Sequence, residues 1–185
     1  MKHTTKRFLL PSLLLSFLFS SGAMQKTEGH GGQSGFCDRL KPCQLLSQAD
    51  AEKVLGQSVR LTRDTSELRG DVRQCSCVYT AVSKDKASGQ DTNLFFAVEQ
   101  RELNPSEEQS RQMMKSTRDS NSPNLAIIDL SGIGDEAYLL GDQPNIHFIM
   151  ARKGVVVIRL QIKEATEQPS LERLKAFARE VTKRL

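Results

Sequence analysis

No tryptophan occurs in this chain, tyrosine appears only at Tyr79 and Tyr138, and histidine only at His3, His30 and His147. Surfaces that stack bases or sugar rings need more aromatic material than that. Nor is there a membrane-spanning run. The longest apolar stretch, Phe8 to Phe19, is broken by Pro11, Ser12 and Ser16 and falls short of the ~20 residues a permanent transmembrane helix requires. Charge excess is missing too. Three of the 26 basic residues and none of the 22 acidic ones lie in the first 23 positions, which leaves 23 basic against 22 acidic residues in the remainder. A nucleic-acid or anionic-membrane footprint is therefore not expected.

What is present begins with the N-terminus. Lys2, Lys6 and Arg7 precede the short apolar run, and Ser21-Gly22-Ala23 follows it. A charged start, a greasy middle and a small-residue exit predict a secretory signal peptide over residues 1–23, cut between Ala23 and Met24. No cysteine precedes Cys37, so no lipid-modified cysteine is expected at the junction. Residues 24–36, with Gly29, Gly31, Gly32 and Gly35, read as a flexible leader in which His30 is solvated. Residues 37–185 suit a single domain.

Cys37, Cys43, Cys75 and Cys77 form an even set in an exported chain and predict two disulfides. Cys75 and Cys77 are two apart on an expected strand, so their side chains share a face and a bond between them would strain the backbone. Of the two cross pairings that remain, the expectation adopted is Cys43 with Cys77 and Cys37 with Cys75. The spacings C-x5-C and C-x-C do not match the paired C-x2-C of a zinc ribbon, and no metal ligand is assigned.

Periodicity then supplies the elements. Ser47, with Asp50 three residues on, predicts a capped helix over Gln48–Leu55 closed by Gly56. Strands are expected at Ser58–Thr62, Cys75–Val82 and Asn93–Arg101, with a polar loop from Arg63 to Val72. Asn104-Pro105 and Glu107 predict the start of a weakly packed surface helix that runs to about Arg118. Four further strands, Leu125–Leu130, Glu136–Leu140, Ile146–Ala151 and Val155–Lys163, are joined by short turns and predict an antiparallel meander. In the last, Val156, Ile158, Leu160 and Ile162 share one face while Arg159, Gln161 and Lys163 share a wetter one. Ser170 is expected to cap a final helix whose Leu171, Leu174, Ala178, Val181 and Leu185 form an apolar stripe. The fold class is α+β, an antiparallel sheet with helices mainly on one face.

Chemistry is sparse. His147 sits between Ile146 and Phe148 and reads as a packed or surface histidine rather than a general base. No Gly-x-Ser-x-Gly elbow occurs. Ser131-Gly-Ile-Gly-Asp-Glu136 invites a phosphate loop, but its glycines lie between two strands rather than between a strand and a helix. Asp129, Asp135, Glu136 and Asp142 lack the spacing of a calcium loop. Gly132 and Gly134 are instead expected to permit unusual backbone angles, with Asp135 stabilising the turn. No catalytic, cofactor-binding or metal residue is assigned, and no cofactor is expected.

Taken together, Cys43-x-Leu-Leu, Leu55-Gly56, Cys77-x-Tyr79, Gly132-Ile-Gly-Asp-Glu-Ala-Tyr138 and the final amphipathic helix resemble a group of small exported bacterial proteins of unknown function, many of them lipoproteins. Such domains are similar in general form to PsbP-type photosystem accessory proteins and to nuclear-transport cofactors of the same sheet-and-helix build. The resemblance implies a disulfide at the positions of Cys43 and Cys77 and supplies no catalytic residues. This chain departs from it in lacking a lipid-anchor cysteine and in carrying the extra pair Cys37 and Cys75. The expected function is a non-catalytic exported domain, periplasmic or extracellular, that binds an envelope protein or a small or lipidic ligand. A secreted hydrolase with unidentified catalytic residues is the alternative.

Overall fold

The computed structural model describes residues 35–84, 89, 91–121, 123, 125–141, 146–163 and 168–185. The expected signal peptide, the Ala23/Met24 junction, His30 and Asp142 lie outside the described residues. Along the chain come α1 (Phe36–Leu40), α2 (Pro42–Leu45), α3 (Gln48–Leu55), β1 (Val59–Arg69), β2 (Val72–Ala81), β3 (Asn93–Arg101), α4 (Glu107–Asn121), β4 (Ala126–Asp129), β5 (Glu136–Gly141), β6 (Ile146–Lys153), β7 (Val156–Lys163) and α5 (Gln168–Lys183). The strands form one sheet in the order β1-β2-β3-β7-β6-β5-β4, antiparallel at every neighbour. Pairing of β3 with β7 fuses a three-stranded meander to a four-stranded one, and the class is α+β.

Strand parity decides which side chains meet. Leu94, Phe96 and Val98 of β3 lie opposite Ile162, Leu160 and Ile158 of β7, and all six are fully buried. They belong to the main core, with Cys75, Cys77 and Tyr79 of β2, Ile149 of β6, Val54 of α3 and Leu174, Phe177, Ala178 and Val181 of α5. The opposite face buries a smaller cluster, Tyr138, Leu140, Met150 and Val157, under Met114 of α4. Helices thus lie mainly on one face, and α4 alone covers part of the other.

Local signals explain the helix ends. Ser47 Oγ accepts from the Asp50 amide at 3.2 Å, Asp50 Oδ2 accepts from the Ser47 amide at 3.3 Å, and Gly56 closes α3 at φ 72°. This is a reciprocal capping box with a left-handed stop. The covalent frame pairs Cys37 with Cys75 and Cys43 with Cys77, each at a Cα separation of 5.5 Å. Both bonds run from the short helices α1 and α2 to one face of β2. Tyr79 adds to this anchoring by donating from its hydroxyl to the Leu46 carbonyl at 3.0 Å.

Several expectations need correction. Arg63–Val72 is not a loop: β1 continues to Arg69, turns through Gly70-Asp71, and returns as β2 from Val72. Its exposed edge buries little on either side, so the strand lacks the alternation that reveals half-buried strands. Gly70, at φ 63°, supplies the first position of a two-residue hairpin turn of the II′ kind. The helix expected after Asn104 begins two residues later than a cap at Asn104 implies. Ser106 is its cap, exchanging hydrogen bonds with Gln109 at 3.3 and 3.1 Å. α4 is a surface helix, as expected, with only Ser110 and Met114 buried. Met114 is fully buried, Tyr138 donates to its carbonyl at 3.2 Å, and Ser110 donates to the Gly154 carbonyl at 2.9 Å. Ser170 lies inside the first turn of α5 rather than before it, and α1 starts at Phe36, one residue inside the expected leader.

Candidate functional site

Polar residues inside a sheet cost free energy unless paired, so their position is informative. Glu99 of β3 and Arg159 of β7 lie on the face shared with α4, where their alternation with Val98 and Ile158 places them. The Glu99 side chain is 5% exposed and accepts an ion pair from Arg159 at 3.0 Å. Burial pushes the Glu99 carboxyl above its ordinary range, and the Arg159 guanidinium opposes that shift.

α4 crosses above this pair and leaves a crevice of about 420 Å³ beside it, lined by Arg69, Gln74, Glu99, Arg101 and Arg159 from the sheet and by Gln112, Met113 and Thr117 from the helix. Toward the C-terminal end of the helix a second hollow of about 320 Å³ shares Thr117 and Arg159 with the first and is also lined by Asn121, Phe148 and Gln161. Three guanidinium groups therefore reach the first crevice against the single lining carboxylate of Glu99. Arg69 and Arg101 are also paired outward, with Glu67 and Asp71. Yet Arg101 and Arg159 each retain a buried Nε–H with no acceptor. Arg152 Nε and His147 Nε2, outside the crevice, are in the same state.

The residues singled out from sequence are scattered by comparison. His147 lies on the opposite face from Glu99, opposite Ile162 in the ladder. It is half-buried, and its value is held down first by burial and then by the charge of Lys175. Asp135 serves as a backbone latch. Its carboxylate accepts from the Gly154 amide at 2.8 Å and from Lys153 Nζ at 3.0 Å, and those hydrogen bonds hold it below the usual carboxylate range. Gly134 packs so tightly that a Cβ there would collide with the Arg152 carbonyl oxygen, and its φ of 59° is left-handed. The Gly-x-Gly-Asp segment is thus used to lock the β4–β5 connection onto the β6–β7 turn. Asp129 pairs with Arg118 at 2.6 Å and Glu136 lies 3.7 Å from Arg152, so the acids near the loop are each turned to a cation rather than gathered around one site. Cys43, Asp64 and Cys77 do bring potential ligand atoms within 4.8 Å of one another. The two sulfurs are bonded to each other, which leaves Asp64 as the one available donor.

Strand alternation places Arg159 on a wetter face, whereas Glu99, Arg101 and Arg69 become its neighbours only through the pairing of distant strands. The available signal was an acid inside an otherwise apolar strand, Leu94 to Val98 followed by Glu99. No protein-family model, no curated protein and no solved structure matches this chain. Among the described residues no helix is long and apolar enough to cross a membrane.

Proposed function

We propose that this chain is an exported binding domain that takes a small anionic ligand, of carboxylate type, in the crevice beneath α4, and does so without catalysis. The observation that carries this reading is a crevice lined by the guanidinium groups of Arg69, Arg101 and Arg159 against the single carboxylate of Glu99. Guanidinium groups bind carboxylates through paired N–H donors. Charged and amide side chains make up much of the lining, which suits a hydrogen-bonding ligand better than a lipid chain. Export rests on the targeting signal of residues 1–23 and on two disulfides, which persist in oxidising compartments. The kinship with small exported bacterial domains belongs to the same proposal, with Cys43–Cys77 as the shared bond.

Glu99 gives the binding a pH dependence. It already occupies Arg159, and its value is raised, so protonating it releases Arg159 to the incoming anion. Binding is expected to tighten as pH falls toward the Glu99 value and to take up a proton. Calorimetric titration with mono- and dicarboxylates and with phosphate, repeated in buffers of different ionisation enthalpy, tests this. Saturable binding lost in Arg159→Gln and kept in His147→Gln supports the site. Equal binding by wild type and Arg159→Gln removes it. The second reading, a secreted hydrolase, draws on the same residue, since a buried carboxyl with a raised value in a cleft is a general-acid candidate. Turnover on an ester or glycoside panel that vanishes in Glu99→Gln would establish it.

A further inference from the structure

Sheet edges expose unpaired backbone donors and acceptors, and this sheet has two edges, β1 and β4. β4 has four residues and β1 has eleven. The beginning of β1 is already blocked by α3: the Val59 amide donates to Glu52 Oε1 at 3.4 Å and its carbonyl accepts from Gln48 Nε2 at 3.0 Å. A bulge between Leu61 and Arg63 then shifts the strand by one residue, which reverses the side to which its later backbone groups point. Arg69 faces Val72 across the two-residue turn, so Arg69, Glu67, Thr65 and Arg63 direct their backbone groups to β2. Asp64, Ser66 and Leu68 direct theirs outward, and no hydrogen bond among the described residues uses them.

Charges on an edge usually repel stray strands. Here they also select one. Two copies of this edge meeting about a two-fold axis must run antiparallel with like faces opposed, which leaves registers centred on Asp64, Thr65, Ser66 or Glu67. Centring on Asp64 or on Glu67 sets that carboxylate against its own copy, and centring on Ser66 sets Arg63 against Arg69. Centring on Thr65 sets Arg63 against Glu67 twice, and it opposes Asp64 to Ser66 as a hydrogen-bonded pair. Arg63 has no ion pair among the described residues, while Glu67 holds only the neighbouring Arg69 at 2.8 Å on an exposed surface. The geometry points to a homodimer in which β1 of one copy adds to β1 of a second, centred on Thr65, so that one sheet runs through both. The open stretch is short, and the dimer is accordingly weak and concentration-dependent.

Sedimentation equilibrium on the full mature chain from about 10 μM to about 1 mM tests this. Wild type is expected to dimerise reversibly. Arg63→Glu and Glu67→Arg each oppose like charges twice and should weaken the dimer by about tenfold or more. Combining both substitutions in one chain restores the pairing, and so does an equimolar mixture of the two single variants. Amide exchange at Asp64, Ser66 and Leu68 should slow as protein concentration rises. A wild-type chain that stays monomeric throughout overturns the inference. So does undiminished dimerisation of both single variants, failure of the mixture to associate, or protection of those amides only when a foreign peptide is added. Circular dichroism checks that the variants fold, and because both side chains are exposed the fold should be unaffected.

Discussion

The two faces of the sheet are built on different principles. One is closed by α1, α2, α3 and α5, tied by both disulfides, and lined by fully buried aliphatic side chains from Leu94 to Ile162. The other is covered only in part, by α4, and mixes Met114, Tyr138 and Val157 with Glu99, Arg159 and Gln161. Burial of apolar surface stabilises a fold without regard to direction, whereas buried charge adds little net stability and is retained for specificity or function. The comparison therefore separates an apolar scaffold face from a mixed face that carries the proposed site. Tyr138 shows the border between them: burial pushes its hydroxyl up to about 12, and that hydroxyl holds α4 in place through the Met114 carbonyl.

The largest expected effect falls on the scaffold face. Replacing all four cysteines by alanine removes both bonds, which close the same stretch over separations of 38 and 34 residues, and should cost at least about 4 kcal/mol in denaturant melts. A loss under about 1 kcal/mol would break the assignment of stability to this face. Next come matched truncations, one per face. Leu174→Ala should cost about 3 kcal/mol and Met114→Ala about 2 kcal/mol; the reverse order would make α4 the better-packed helix. Gly134→Ala, which strains the latch joining the two faces at their common edge, should cost about 1 to 3 kcal/mol, with the fold otherwise retained by circular dichroism.

Smallest of all are two titrations of opposite sign. His147 has its value lowered from 6.5, so the unfolded chain binds the proton more readily, and stability should fall as pH drops below 6.5 through the folded value. Glu99 has its value raised from 4.5, so its contribution is fully present below 4.5 and is lost as pH rises through the raised value. Melts of wild type, His147→Gln and Glu99→Gln between about pH 4 and pH 8 should separate the two slopes. Identical profiles for wild type and His147→Gln would remove the burial argument for that residue.

The elements that could be read from sequence are those whose signal is local. Ser47, Asp50 and Gly56 bracket α3 because capping involves residues three and four apart, and Val156, Ile158, Leu160 and Ile162 mark β7 because strand alternation has period two. The second half of β1 could not be read this way. Asp64 to Arg69 is held as a strand by its partner β2, and nothing in its own composition reports that partner. The anchoring of α4 was hidden for a similar reason: Met114 is a single apolar contact, and its importance comes from Tyr138 and Met150, which arrive from elsewhere in the chain.

By itself the sequence determined the even cysteine set, the α+β class, the meander and the amphipathic last helix, since composition and short periods specify those directly. Tertiary structure alone decided that Glu99 meets Arg159, that Arg69 and Arg101 join them under α4, and that Gly134 touches the Arg152 carbonyl. Each of those contacts joins residues far apart in the chain, and only the registers of β1 on β2, β2 on β3, β3 on β7 and β5 on β6 bring them within reach.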